Sequence, residues 1–493
     1  MIDDKIKFKV GFMANNVYTI ADDQQEISAV DDILVSQKQA FATQPYLSEQ
    51  ARIEDLLTLK SAILAHQEEL VQALSKDFGC RSVDDSKMGD LMPTIMGINY
   101  AIKHIKKWMK PSKRHVGVLF QPAKAFVMYQ PLGVIGIITP WNYPLFLSLG
   151  PLCTALAAGN RAMIKMSEFT PATNDVIKKL INSVFSTDKV AVINGGPSVA
   201  AHFSAQAFDH LLFTGSTRVG KIVMAAAAKN LTPVTLELGG KSPTIIDDKI
   251  AINDAVSRFI LGKTLNAGQT CVAPDYLLCP AGRIDELKQA LSQQFSKMYP
   301  SVANNNDYSS IINEGQLQRL QQWLTDAKDK GAILTPLGSD SEQDCLSAGK
   351  MPLTIVNNVN DDMLLMQEEI FGPILPIVTY KDIDEAISYV NERPRPLALY
   401  LCSHEESTQQ AVLERTHAGG VCLNDAAMHV VQDDMPFGGI GPSGMGHYHG
   451  HEGFLTFSKA KSVFKKGKIN TASNAFPPYG KLIHKLIYKF FLK

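Results

Sequence analysis

The sequence predicts an α/β protein made of two doubly wound lobes, each built on a mostly parallel sheet. Three observations carry this reading. Strand-like apolar runs alternate with helix-like runs from about Ala125 to Ala228, and the alternation starts afresh at Gly240. The chain has 493 residues, more than one ordinary core takes at roughly 150 residues per domain. Apolar residues at 45% and charged residues at 20% describe a folded globular chain, not a disordered one. A net charge of -1 removes the electrostatic reason to expect nonspecific nucleic-acid binding.

Met1 to Gln25 contains Asp3, Asp4, Asp22 and Asp23 and no continuous apolar run, so it reads as an extension, not a secretory signal. From about Val30 to Trp108, Ile53, Leu56, Leu57, Ile63, Leu64, Leu70, Val71 and Leu74 recur at amphipathic-helix spacings. Ala125 to Tyr129 and Val134 to Ile138 read as strands, the second so apolar that both of its faces must be covered. A turn from Pro140 to Pro144 leads to a small-residue helix from Leu147 to Ala158. Arg161 to Lys165 is a strand, Asn174 to Phe185 a helix, and Val190 to Ile193 and His210 to Phe213 are strands.

At Phe213-Thr214-Gly215-Ser216-Thr217-Arg218-Val219-Gly220 a strand meets a glycine-bearing turn and a helix from about Val219 to Ala228. The unpaired N–H groups of such a helix start suit a pyrophosphate, although the strict G-x-G-x-x-G is absent. In the second set, Pro243 to Ile246 and Tyr276 to Cys279 are strands, and Asn253 to Leu265 and Ile284 to Tyr299 are helices. Gly262-Lys263-Thr264 ends like a phosphate loop, but Ser257 stands where that motif needs its first Gly, so it reads as helix surface.

The seven cysteines, at 80, 153, 271, 279, 345, 402 and 422, are odd in number and show no zinc-type spacing. Reduced thiols and a cytoplasmic location are the expectation. No apolar run reaches 18 residues, so no transmembrane helix is expected.

Four stretches stand out chemically: Pro140-Trp141-Asn142-Tyr143-Pro144, Glu237-Leu238-Gly239-Gly240-Lys241-Ser242-Pro243, Gly268-Gln269-Thr270-Cys271 and Glu368-Glu369-Ile370-Phe371-Gly372-Pro373. Any one alone is weak: a Glu beside two glycines is commonly a helix cap or salt-bridge partner, and an Ile-Phe pair is commonly core. Together, in this order, they resemble the aldehyde dehydrogenase superfamily over about Val30 to Lys466. The resemblance implies Cys271 as nucleophile, the Asn142 amide and Cys271 N–H as oxyanion donors, and Glu237 as the base that hydrolyses the thioester.

It also implies a Rossmann-like cofactor lobe over 30–120 and 132–238, a catalytic lobe over 239–425, and a small β oligomerisation arm over 121–131 and 426–470. Segments near Gln121 to Tyr129 and Gly453 to Phe464 would pair in that arm and make a homodimer. Thr139, Trp141, Lys165, Glu168, Gly215, Ser216, Gly220, Leu238, Glu369 and Phe371 would contact the cofactor. Lys165 and Glu168 would lie at the adenosine ribose, a carboxylate there favouring NAD while leaving NADP possible. No metal site is implied, and the alternating His447, His449 and His451 belong to a Tyr-His-Gly turn that the family has without metal.

Tyr129-Gln130-Pro131-Leu132-Gly133, Ile164-Lys165-Met166-Ser167-Glu168, Asn266 to Tyr276 and Gly438 to Gly446 resemble the class-3 branch, and within it the coniferyl aldehyde dehydrogenases. That implies oxidation of coniferyl aldehyde to ferulate. The alternatives are medium- or long-chain aliphatic or simple aromatic aldehydes, or a non-catalytic binding protein on this fold. Ala426-Ala427-Met428 depart from the bulkier residues of that branch, which implies an altered pocket. In the tail, 471–493, Leu482, Ile483, Leu486, Ile487, Phe490 and Phe491 interleave with Lys481, Lys485, Lys489 and Lys493. This amphipathic pattern fits a helix packed on a dimer partner or over the substrate entrance, in preference to one on an anionic membrane.

Overall fold

The computed structural model describes residues 19–492 except 469 and 471. Two parallel-based sheets and one small antiparallel sheet organise it. In the first sheet, Val234–Glu237, His210–Thr214, Val134–Ile138, Arg161–Lys165 and Val190–Ile193 lie side by side in that order, all parallel. The chain therefore runs outward from the central strand Val134–Ile138 first one way and then the other. The loops after Ile138 and Thr214 leave adjacent strands at that reversal, the place on an open parallel sheet where ligands characteristically bind. The central strand is buried at all five positions, because helices cover both of its faces. Truncating its fully buried Ile135 or Ile137 to Ala would cost roughly 2–5 kcal/mol.

The second sheet runs Ile333–Pro336, Thr354–Asn357, Ile374–Tyr380, Tyr276–Pro280, Pro243–Ile246, Ala398–Cys402, Gly420–Leu423. Only its first strand is antiparallel to its neighbour. In the third sheet, Lys124–Pro131 pairs antiparallel with both Ser112–Arg114 and Ser458–Lys465. The expected pairing of the two arm segments is present, but it begins at Ser458, because the residues before it form the helix Gly450–Thr456.

Several expectations need correction. The acidic N-terminal stretch is no mere extension where it is described: Thr19 caps a helix from Ile20 to Thr43, and Asp23 accepts from the Gly196 N–H (2.8 Å) and bonds the Ser198 hydroxyl. Met1 to Tyr18 lie outside the described residues. The segment 426–470 is more than an arm, since Gly444–Met445 adds an antiparallel edge strand beside Val234–Glu237 in the first sheet. Glycine is required there: at φ +144 a Gly444 Cβ would sit 2.2 Å from the Leu236 carbonyl. Lys263 is not on the helix surface; it is 1% exposed, and burial pushes its amine down to about 8.

The tail helix Leu482–Phe491 forms as expected, with Leu482, Leu486 and Phe490 exposed on the single chain. Among the described residues no helix is long and apolar enough to cross a membrane.

Candidate active site

The turn after Val134–Ile138 carries Asn142, and the last residue of Val234–Glu237 is Glu237, two strands away in the same sheet. Asn142 and Glu237 are 2% and 3% exposed. Both Glu237 carboxyl oxygens are buried without a hydrogen-bond partner, as is the Asn142 Oδ1. Glu237 is neither the helix cap nor the ion-pair member that such a residue commonly is. Burial holds its carboxyl well above the ordinary value.

Cys271 arrives from the other lobe, just after the helix Ile252–Thr264. The connecting turn is unusual, with Asn266 at φ 50, Ala267 at φ 53 and Gly268 at φ 73. Gly268 is required because a Cβ there would approach the Gly372 carbonyl to 2.6 Å. The turn is held from within and without. Gln269 Nε2 donates to the carbonyls of Asn266 and Ser310 (3.0 Å each), and its Oε1 accepts from the Ile312 N–H (3.0 Å). Asn266 Nδ2 donates to the Asn142 carbonyl at 3.2 Å, and the Thr270 hydroxyl lies 3.5 Å from that of Tyr143.

The thiol loop and the amide turn are thus in direct contact. Cys271 keeps part of its surface accessible, while the protein packed around its sulfur pushes the thiol up to about 12, with Glu369 and Glu237 adding to the effect. An influence of this kind requires the thiol and the Glu237 carboxyl to lie in one neighbourhood.

The fourth stretch joins them. A Cβ on Gly239 would meet the Glu369 carboxylate oxygens at 2.1 and 2.3 Å, so Gly239 is what lets Glu369 approach. Glu369 is raised to about 8 by burial and by Asp275, against the Gly240 N–H, Lys241 and Arg319. Asp275 accepts from the Ile370 N–H at 2.8 Å and bonds the Lys241 ammonium, which donates also to the Leu365 and Glu368 carbonyls at 2.7 and 3.2 Å. The Phe371 ring stands edge-on to Trp141 with centroids 5.2 Å apart. Phe371, at φ 48, is a bulky residue in the left-handed region, a strain that points to a positional requirement.

At the carboxyl ends of the first sheet's strands, Gly215 donates its N–H to the Glu237 carbonyl (3.0 Å), and Ser216 caps the helix Thr217–Ala228 by accepting from Val219. Gly220 packs on Leu238, whose Cδ2 a Cβ would meet at 2.7 Å. The buried hydroxyls of Thr139 and Thr214 have no partner. Lys165 differs from expectation in detail. It is 1% exposed and donates to the Met166 and Gly195 carbonyls at 2.6 and 2.7 Å, and burial lowers it to about 8 against Glu168, Asp23 and Glu26. Glu168 is half-buried three residues beyond it. The alternating histidines part company: His449 stacks on Phe437 at 5.1 Å, and His451 on Trp108 at 6.0 Å.

Two features went unread in the sequence. Tyr448 is 1% exposed with its hydroxyl unpartnered, and both Glu237 and Cys271 raise it further. Arg81, Asp85 and Asp90 form a buried ionic cluster behind the Asn142 turn. Tyr448 lies in the histidine-bearing turn that the sequence marks, but nothing in that stretch marks its ring as internal, and the cluster's charges carry no spacing that marks them as internal either.

The chain is similar to known proteins over nearly its whole length. The chain is 53% identical to a probable coniferyl aldehyde dehydrogenase of Pseudomonas aeruginosa, over 98% of this chain and all of that one. It is 43% identical to a coniferyl aldehyde dehydrogenase of a Pseudomonas species, covering 91% and 94% of the two chains. The substrate-bound Staphylococcus aureus AldH structure superposes with a TM-score of 0.88 at 38% identity, over 94% of this chain and 99% of that one. An NAD+ complex of a Mycobacterium tuberculosis aldehyde dehydrogenase gives 0.81 at 26% identity, over 90% and 92%. With residues 12–463 also matching the aldehyde dehydrogenase family as a whole, this chain belongs to that family, and it is an oxidoreductase acting on aldehydes.

Proposed function

We propose that the chain oxidises a hydrophobic aromatic aldehyde, coniferyl aldehyde to ferulate, with NAD. The buried, unpartnered carboxyl of Glu237 beside the Cys271 thiol carries this reading, because it is the arrangement that thioester hydrolysis needs. The Cys271 thiol gives up its proton to solvent, and its sulfur bonds to the aldehyde carbon as the carbonyl electron pair moves onto oxygen. The Asn142 side-chain amide and the Cys271 N–H stabilise the oxyanion that forms. Once the carbonyl hydrogen has left as hydride, an acyl group remains on sulfur; Glu237 in its ionised form takes a proton from the water that attacks it, the carbon–sulfur bond breaks, and the acid departs.

A bound nicotinamide dinucleotide supplies the hydride acceptor. The residues fit one: unpartnered Thr139 and Thr214 hydroxyls, the capped helix start at Gly215 and Ser216, the small Gly220 against Leu238, and Trp141 against Phe371. Glu369 would hold the nicotinamide ribose and Glu168 the adenosine ribose, with Lys165 beside it. The carboxylate of Glu168 favours NAD and leaves NADP possible. In this assignment 30–120 and 132–238 bind the dinucleotide and 239–425 carry the thiol. Residues 121–131 and the paired part of 426–470 join two copies, with Ser458–Lys465 offering an edge to the partner. A reducing cytoplasm suits seven free cysteines, all of them unpaired.

Steady-state NADH formation across coniferyl aldehyde, benzaldehyde and medium-chain aliphatic aldehydes, with NAD and with NADP, tests the assignment. Higher kcat/KM for coniferyl aldehyde with NAD is expected. A preference for aliphatic aldehydes would sink the substrate, and no turnover with any aldehyde would sink the reading.

A further inference from the structure

Arg81 is wholly buried between the rings of Phe78 and Tyr143, its guanidinium carbon 5.0 and 4.5 Å from their centroids. Its Nη1 donates to the Asn142 carbonyl at 2.9 Å and pairs with Asp90 at 3.2 Å, while Nη2 lies 3.7 Å from Asp85. Each acid reaches a different part of the site. Asp90 accepts the Phe146 N–H (2.8 Å), where the helix after the amide turn begins. Asp85 accepts the Asn266 N–H (3.1 Å), at the entry to the thiol loop. The Asn142 carbonyl is then bonded twice, from Arg81 and from Asn266 Nδ2 at 3.2 Å.

As a source of stability this cluster is a poor choice, since burying three charges gives up hydration that apolar packing would not. As a means of fixing register it is apt. Asn266 and Ala267 hold left-handed backbone, which persists only where the surroundings impose it. The bonds from Asp85 and to the Asn142 carbonyl are surroundings of that kind.

We propose that Arg81, Asp85, Asp90 and Asn266 form a positioning device that sets the separation between the Asn142 amide and the Cys271 sulfur, and through it the rate of carbon–sulfur bond formation. This rests on Cys271 as nucleophile and Asn142 as donor. None of the four touches the aldehyde in this role; they act through the two groups that do. A misplacement of about 1 Å between reacting groups slows a reaction by about 100-fold, so a modest loosening is measurable.

The test uses single-turnover NADH formation with NAD saturating and enzyme in excess over aldehyde, on Arg81→Lys and Asn266→Gly. The lysine keeps the charge but loses the fork that spans Asp85, Asp90 and the carbonyl. The glycine accepts φ 50 without strain and leaves the ionic cluster whole. In both, the rate constant should fall by about tenfold or more, with amplitude retained and KM for NAD within about threefold of wild type. A merely structural role predicts the reverse, lower amplitude at an unchanged rate constant, and either that result or an unchanged rate constant in Asn266→Gly overturns the proposal. Should Arg81→Lys not fold, Asn266→Gly decides. If wild type itself forms no NADH with any aldehyde, it is the underlying assignment that fails.

Discussion

The loop that delivers Cys271 and the strand that delivers Glu237 solve opposite problems. The loop is bonded at nearly every turn: Gln269 alone makes three hydrogen bonds, and Asn266 ties the loop to the Asn142 turn. The carboxyl of Glu237 has no partner at all, although it is 3% exposed. An isolated buried polar group is costly, so the contrast calls for a reason. A nucleophile works by being held in line with its target. In the role proposed for it, Glu237 as base for a transient water works by having its lone pairs unclaimed.

Cys271→Ala presses this contrast hardest. It should reduce aldehyde-dependent NADH formation on the order of 10^4-fold or more while leaving folding intact, and measurable turnover above a hundredth of wild type would mean the tied loop serves something else. Glu237→Gln should lower kcat by roughly 10^2- to 10^4-fold yet still release one NADH per site in a rapid burst, because carbon–sulfur bond formation does not need the base. Loss of that burst would place Glu237 in the first half-reaction and erase the division of labour. Asn142→Ala should lower the burst rate constant itself by roughly 10^2- to 10^3-fold, read by stopped flow.

Gln269→Ala tests the bonding rather than the chemistry. With partners at Ser310, Ile312 and Asn266 left unpaired, roughly 1–3 kcal/mol should be lost from the unfolding free energy in urea, and an unchanged midpoint would show that the loop is held elsewhere. The smallest step is in pH. With the thiol pushed up to about 12, the thiolate is scarce at neutrality and grows with pH. Alkylation of Cys271 by iodoacetamide in the absence of cofactor should therefore rise about tenfold per pH unit between 7 and 10. A plateau near 8 would mean the sulfur is less enclosed than the structure has it.

The sequence made the ends of this comparison readable and hid what joins them. Asn142, Glu237 and Cys271 each sit in a short local stretch, and the strand beneath Asn142, Val134–Ile138, is apolar enough to be placed from pattern alone, whereas Val234–Glu237 was not placed. Lys263 misled, because a Lys after Arg258 in an amphipathic run looks like a solvated face, and only tertiary packing buries it. Arg81, Asp85 and Asp90 were silent for the same reason: spaced charges near a helix start are ordinary on a surface. Strands from Ile333 to Leu423 went unassigned between the recognisable motifs, so the seven-stranded sheet was known only by its first members.

The edge pairing of Gly444 with Glu237 has a consequence for how the protein is made. About 200 residues separate the two partners, which at ribosomal rates is roughly 10 to 40 s of synthesis. Throughout that interval the outer margin of the dinucleotide sheet is a bare template on the nascent chain, ready to recruit a stray strand. Production yield should therefore respond to what shields that margin before residue 444 emerges.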